Sequence, residues 1–235
     1  MFVGVDVSER RGLDVVALDR GRAVTGIPRR GVPPEGLAAL LDELGPVAVA
    51  IDSPPDWSRA GGSRQGEREL ATLGISCFRT PSDPTLRRRP FYNWMRAGHA
   101  AFAAAERAGY RLYRGGPVAG CALEVFPHSS AVALAGSRPP PGTIRRSGSK
   151  AAWRRSVLED AGVDTAGLRT LDHLDAALAA LTALLAWQGC AFTLGDPEEG
   201  LMVLPGRRPP GRYPMPGVRG VPEMPGVRGV PEMEV

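Results

Sequence analysis

Phe2-Val3-Gly4-Val5-Asp6-Val7-Ser8 is the stretch on which the reading of the chain turns. Apolar residues and glycine dominate it and its branched residues favour extended backbone, so it reads as a buried strand. A single carboxylate, Asp6, interrupts it. A buried and unpaired Asp is costly, so this one is expected to be partnered, protonated or holding a cation. Gly12-Leu13-Asp14-Val15-Val16-Ala17-Leu18-Asp19 reads as a second strand and Arg22 to Ile27 as a third. Connections this short favour an antiparallel meander. Many phosphate-handling folds keep a metal ligand on the first strand of such a meander. The plainer alternative, an Asp that caps a turn through Ser8, is equally open at this point.

Working outward, Pro33-Pro34-Glu35 opens a helix whose Leu37, Leu40, Leu41 and Leu44 follow the helical period, and Gly45-Pro46 ends it. Val47 to Asp52 is continuously apolar up to its terminal carboxylate, which suggests a central strand covered on both faces. Ser53-Pro54-Pro55 breaks that strand and leaves Asp52 at the sheet edge where α/β folds place their chemistry. Asp56 to Gly66 is polar and glycine-containing, an expected mobile loop, and a short helix from Glu67 to about Gly74 follows. The basic cluster Arg87-Arg88-Arg89 precedes Phe91-Tyr92-Asn93-Trp94, and Trp94 to Ala108 is an alanine-rich helix. Short strands are expected at Tyr110 to Tyr113 and at Ala122 to Pro127, the latter carrying Glu124. His128 to Leu134 forms a helical turn, Ser137 to Ser149 a loop, and Lys150 to Ala161 a basic helix. Leu171 to Trp187 is the last strong helix, with a leucine stripe at Leu171, Leu174, Leu178, Leu181 and Leu185. Leu201 to Leu204 closes the domain, 1–204, as an edge strand. From residue 205 the chain is rich in Pro and Gly, and Met215 to Glu223 recurs identically as Met224 to Glu232. Such a repeat cannot bury a core, so 205–235 is expected to be a disordered tail.

Composition supports a globular α/β chain: 235 residues, 43% of them apolar. The net charge of +4 permits polyanion binding, but Lys150 is the only lysine among 29 basic residues. With 30 Gly and 23 Pro, that arginine bias reads first as GC-rich coding, and only clustering on one face makes it a nucleic-acid footprint. Cys77, Cys121 and Cys190 are widely spaced with no C-x-x-C pair, which argues against zinc and for reduced thiols in a cytoplasmic protein without a signal peptide. Ala176 to Leu194 is apolar, yet it barely reaches bilayer length and starts beside Asp172, His173 and Asp175. A buried helix is expected there, and no membrane span.

Carboxylates thus recur in apolar or edge settings at Asp6, Asp52, Glu124 and the pair Asp172/Asp175, the last two on nearly one helix face. Asp175 lies inside its helix, which makes it a poor cap, whereas Asp172 sits where an N-cap belongs. Glu124 has many arginines available as partners. His128 and His173 are acid/base candidates, although a lone histidine is more often a polar surface residue. Arg64 and Glu67 can reach such a site or remain solvated helix charges. An all-oxygen cluster of this kind suits Mg²⁺ or Mn²⁺.

The order of these features carries a resemblance. Strand-Asp6, two strands, helix, strand-Asp52 and a late helix with Asp172-His173-Leu174-Asp175-Ala176 resembles the ribonuclease H-like superfamily. The D-x-x-D-A helix looks like that of Holliday-junction resolvases of the RuvC type. Gly4-Val5-Asp6, Ile51-Asp52-Ser53-Pro54, Glu67-Arg68-Glu69, Glu124-Val125-Phe126-Pro127 and Asp175-Ala176 together are similar to an uncharacterised prokaryotic family of predicted ribonuclease H-like nucleases. The resemblance spans about Met1 to Leu204. It implies an α/β fold with a central mixed five-stranded sheet, an antiparallel meander followed by parallel strands, flanked by helices. It also implies a divalent-metal nuclease acting on DNA or RNA with two ions about 3.5–4 Å apart. On that pattern Asp6 bridges both ions, and Asp52 and Asp175 each complete a coordination shell. Asp172 and Glu124 count among the catalytic carboxylates, with the role of Glu124 left open, and a metal-activated water attacks the phosphodiester. Lys150, Arg154 and Arg155 would then grip the nucleic-acid backbone. Two other readings stand beside this one. An ATP-using kinase or ATPase of the wider superfamily wants a glycine-rich turn after the first strand, where only Gly12 is present. A non-catalytic nucleic-acid- or protein-binding module on the same fold predicts scattered carboxylates.

Overall fold

The computed structural model describes residues 1–207 and 211–216. In chain order the elements are β1 (Phe2–Ser8), β2 (Gly12–Leu18), β3 (Arg29–Val32), α1 (Leu37–Leu44), β4 (Ala48–Asp52), α2 (Gln65–Thr72), α3 (Pro84–Arg87) and α4 (Asn93–Arg107). They continue as β5 (Arg111–Leu112), β6 (Cys121–Glu124), α5 (Pro127–Ala135), α6 (Ser147–Asp160), α7 (Leu171–Trp187), β7 (Ala191–Leu194) and β8 (Met202–Pro205). Among the described residues all eight strands form one mixed sheet in the order β3-β2-β1-β4-β6-β8-β7, with β5 added beside β6. β1, β2 and β3 are antiparallel, and β4 and β6 run parallel to β1. An antiparallel meander is followed by parallel strands, as expected, but β7 is antiparallel at the far edge and the sheet has eight strands among the described residues where five were expected.

Strand alternation decides what lies on each side. Phe2 on β1, Val16 and Leu18 on β2, Ala48 and Ala50 on β4, and Cys121 and Leu123 on β6 face α7 in one core. Val3, Val5, Val15, Val49 and Ile51 face α1 and α4 in a second. Asp6, Asp14 and Asp52 share the parity of the first set, so all three lie on the α7 side. The expected leucine stripe of α7 is too modest: residues 173–185 are all buried, because the sheet covers one side of the helix and α5 and α6 the other.

α7 sits close to β1 because of Gly4. A Cβ built there would run into the backbone O of Ala176 and N of Ala180. Gly4→Ala is therefore expected to cost about 3 kcal/mol through overpacking, read as a lower midpoint in urea denaturation; an unchanged midpoint would show that the helix can yield.

Three boundaries depart from the sequence reading. Arg22 to Ile27 is a turn with one isolated bridge, Leu18 to Val24, and the third strand comes later at β3. Asp19 causes this: its carboxylate accepts the Ala23 N–H at 2.8 Å while Arg22 takes a positive φ of 73°. The apolar run Ala176 to Leu194 is divided between α7 and β7, and no helix among the described residues is long and apolar enough to cross a membrane. Packing also continues past residue 204. Pro205 belongs to β8, and Tyr213 is buried in a third core with Leu70, Val132, Phe192 and Leu204. Most of the tandem repeat lies outside the described residues.

Candidate active site

Asp6 and Asp52 are partners in the parallel register of β1 and β4, at the carboxyl ends of both strands. Ser53 turns the chain immediately, its N–H donating to Ile51 O at 2.9 Å. The N-terminus of α7 reaches the same edge. Thr170 caps it, its Oγ1 accepting the His173 N–H at 3.1 Å, so Asp172 is released from the capping role. Asp6, Asp52, Glu67, Glu124, Asp172 and Asp175 then line one cavity of about 330 Å³, together with Arg11, Arg64 and Lys150 and the aromatic Phe78, Trp94 and Phe126. All five carboxylates expected from the sequence meet here. They are not scattered.

The six acids divide into two groups by their partners. Asp172 is paired with Arg11 Nη1 at 2.8 Å. Asp175 is paired with Arg154 Nε at 2.7 Å and Lys150 Nζ at 3.0 Å. Glu124 is clasped by the buried Arg64, whose Nη1 donates to Oε2 at 2.7 Å while Nη2 donates to Oε1. Arg64 also donates from Nε to Glu67 at 3.2 Å, and Glu67 accepts the backbone N–H and hydroxyl of Thr80. The carboxylates of Asp6 and Asp52 have no hydrogen bond or ion pair among the described residues. Burial first, then repulsion from Asp52, Asp175, Asp172 and Asp14, holds the Asp6 carboxyl well above the usual carboxylate range. Burial and Asp175 push Asp52 up to about 8 against the pull of Lys150 and Arg154. Two adjacent acids are thus left uncompensated. That is the environment a cation relieves.

An implied divalent cation fits this donor set in its chemistry, since every available ligand is a hard oxygen. The fit is incomplete in geometry. Among the described residues, no group of three or more His, Cys, Asp or Glu is arranged to hold a metal ion, and Asp175 is turned to Lys150 and Arg154.

Other expected residues are placed differently. Arg154 is fully buried, its guanidinium 4.8 Å from the Trp153 ring centroid, and Arg155 gives its guanidinium to Thr165 and Leu168 carbonyls. Neither can grip a nucleic-acid backbone, since Arg154 points from α6 toward α7 and Arg155 holds the loop between them. Lys150 remains, a quarter exposed at the cavity wall. His128 lies between the Phe126 and Trp153 rings, and burial, Arg154 and Lys150 push it down to about 3, so it is neutral near pH 7. His173 is buried with Nε2 3.8 Å from Asp14 and is lowered by that burial. Arg64 and Glu67, for which the sequence left open both a reach to the site and solvated helix charges, are buried in the cavity wall. The signal for them was an Arg followed three residues later by Glu at a helix start, where Glu67 accepts the Arg64 N–H at 3.1 Å. Gly12 does not form a phosphate turn; at φ 76° a Cβ there would press on Gly31 and Val32.

A family model described as protein of unknown function, DUF429, matches residues 4–199, a span that holds every acid of the cavity. The chain belongs to the DUF429 family. No curated protein matches this DUF429 chain. Among solved structures it is similar to Thermus thermophilus RuvC, once in complex with a Holliday junction substrate and once alone. Each is 20% identical with a TM-score of 0.42 over 80% of the DUF429 chain, covering 97% and 95% of the respective RuvC chains.

Proposed function

We propose that the protein is a divalent-cation-dependent phosphodiesterase acting on DNA or RNA, with Asp6 and Asp52 at its centre. The observation that carries this reading is the pair itself: two adjacent strand-end carboxylates, unpartnered and mutually repelling, on the floor of a cavity ringed by further acids. Asp6 and Asp52 would hold the cation, and Asp175 would be the third oxygen donor once Lys150 and Arg154 released it. Mg²⁺ or Mn²⁺, when bound, supplies Lewis acidity toward a phosphoryl oxygen and a more acidic water. Lys150, freed from Asp175, would neutralise a phosphate at the cavity wall. Arg64 keeps the charges of Glu124 and Glu67 compensated, so these two shape the wall while Asp6 and Asp52 hold the open valences. The donor oxygens left free support a single ion more directly than two. The three free cysteines are consistent with a cytoplasmic setting.

Asp52 must give up a proton to bind a cation, so cation affinity should rise with pH up to about 8 and then level off, as read by calorimetric titration with Mn²⁺. The direct test is hydrolysis of labelled single- and double-stranded DNA and RNA with Mg²⁺ or Mn²⁺ against EDTA. Product only with the cation supports the reading; no product on any substrate with either ion overturns it.

A further inference from the structure

Phe78 and Phe91 are 61% and 55% exposed, the two most exposed aromatic residues of the described chain. A single exposed apolar ring needs no explanation, but these two touch, their centroids 5.4 Å apart and their planes at 75°. Phe78 also meets Trp94 at 6.0 Å, and Phe78 and Trp94 both line the acidic cavity. The run continues from Phe91 to Tyr92 at 4.9 Å, so rings extend from the cavity wall out onto the surface. Basic residues alternate with them. Arg79 follows Phe78, and Arg88 and Arg89 precede Pro90 and Phe91. All three are exposed and make no side-chain hydrogen bond or ion pair among the described residues. By contrast Arg87 and Arg96 of the same region are held by the protein itself, through Pro81, Ser58 and Asn93.

The geometry points to a binding platform for unpaired nucleobases: Phe78, Phe91 and Trp94 stack bases of a single strand, and Arg79, Arg88 and Arg89 take its phosphates. The inference rests on the reading of the cavity as a phosphodiesterase site and assigns that site its substrate class, single-stranded or locally unpaired nucleic acid. Physical fit favours this occupant. A base offers an apolar face to an aromatic ring whatever its identity, and each base brings a phosphate that a neighbouring arginine can meet. A paired duplex buries its base faces and offers only charge, leaving exposed rings without a function. A second copy of this basic chain would set the same three arginines against one another across a shared patch.

Fluorescence anisotropy in EDTA, with a labelled oligothymidylate of about 12 nucleotides and its duplex with oligoadenylate, tests this without any cleavage. The single strand should bind at least about tenfold more tightly than the duplex. Phe78→Ala and Phe91→Ala should each weaken single-strand binding roughly 5- to 100-fold with an unchanged melting temperature, and Phe91→Trp should retain it. Arg88→Ala and Arg89→Ala should each lower the salt slope by about 0.7. Equal or tighter duplex binding, or alanine variants that bind like wild type, would overturn the platform. So would sedimentation showing a dimer that Phe78→Ala dissociates. The two readings fail separately: a protein that binds the strand through its rings but never cleaves loses only the phosphodiesterase reading. A protein that cleaves unchanged in Phe78→Ala/Phe91→Ala loses only the platform.

Discussion

Asp6→Asn and Asp52→Asn should each lower cation-dependent cleavage by roughly 10³-fold while making the metal-free protein more stable. On the proposed reading the activity loss follows from removing one of two carboxylates that would hold the cation where transition-state charge develops, a place where single electrostatic groups carry about 10²–10³ in rate and a cation more. The gain in stability has an independent cause. Asp52 ordinarily titrates near 3.8 and here is pushed up to about 8. Between those values the native state holds a proton that the unfolded state has lost, so stability falls as pH rises, at most about 1.4 kcal/mol per unit for one group. Asn carries no such penalty. Calorimetric melting in EDTA should find Asp52→Asn and wild type alike near pH 4 and the variant several degrees higher at pH 8, where each kcal/mol moves the midpoint about 2–4 °C. Mn²⁺ at pH 8 should stabilise wild type and leave the variants unmoved. A variant that melts below wild type at pH 8 would show that no repulsion is stored at the pair, and its inactivity would then say nothing about ligation.

Arg64→Met should be the most damaging single change to stability, costing about 3–5 kcal/mol, or roughly 6–20 °C in melting temperature. Arg64 and Glu124 are 4% and 3% exposed, and the same guanidinium serves Glu67. Truncation would strand two carboxylates away from water, which is the expensive half of a buried ion pair. Arg64→Lys should recover only part of the loss, since one ammonium cannot reproduce a fork that reaches two acids. Adding Glu124→Gln to Arg64→Met should restore some stability by removing one stranded charge, a coupling that a double-mutant cycle in urea measures directly. A loss below about 1 kcal/mol for Arg64→Met would mean that water reaches the cluster.

Much of this was legible in the chain. The apolar stretch interrupted by Asp6 and the apolar run ending in Asp52 marked two strands that each carry a carboxylate, and the parallel register of β1 and β4 makes those carboxylates neighbours. Asp175 stood out because it lies too far inside its helix to cap it. What the sequence could not carry was partnership. Arginines are so plentiful that nothing local says Arg64 reaches Glu124, sixty residues away, or that Arg154 turns inward to Asp175. Periodicity also failed where side chain–backbone bonding overruled it, as at Asp19, whose turn displaces the third strand to residues 29–32. The end of α7 at Trp187 was legible but β7 was not, because helix and strand are both apolar there and only the turn at Gly189 separates them.

The absence of a side chain at Gly4 bears on how the protein can open. With Ala176 and Ala180 seated against β1, the strand that carries Asp6 and the helix that carries Asp172 and Asp175 form a single rigid jaw. The excursion 53–92 between β4 and α4 brings Arg64 and Phe78 to the same cavity, and it is fastened by the buried Arg64–Glu124 pair and by Leu70, Leu73 and Ile75 in the third core. Its exchange between relatives would retune what the site accepts and leave the acidic floor where it is.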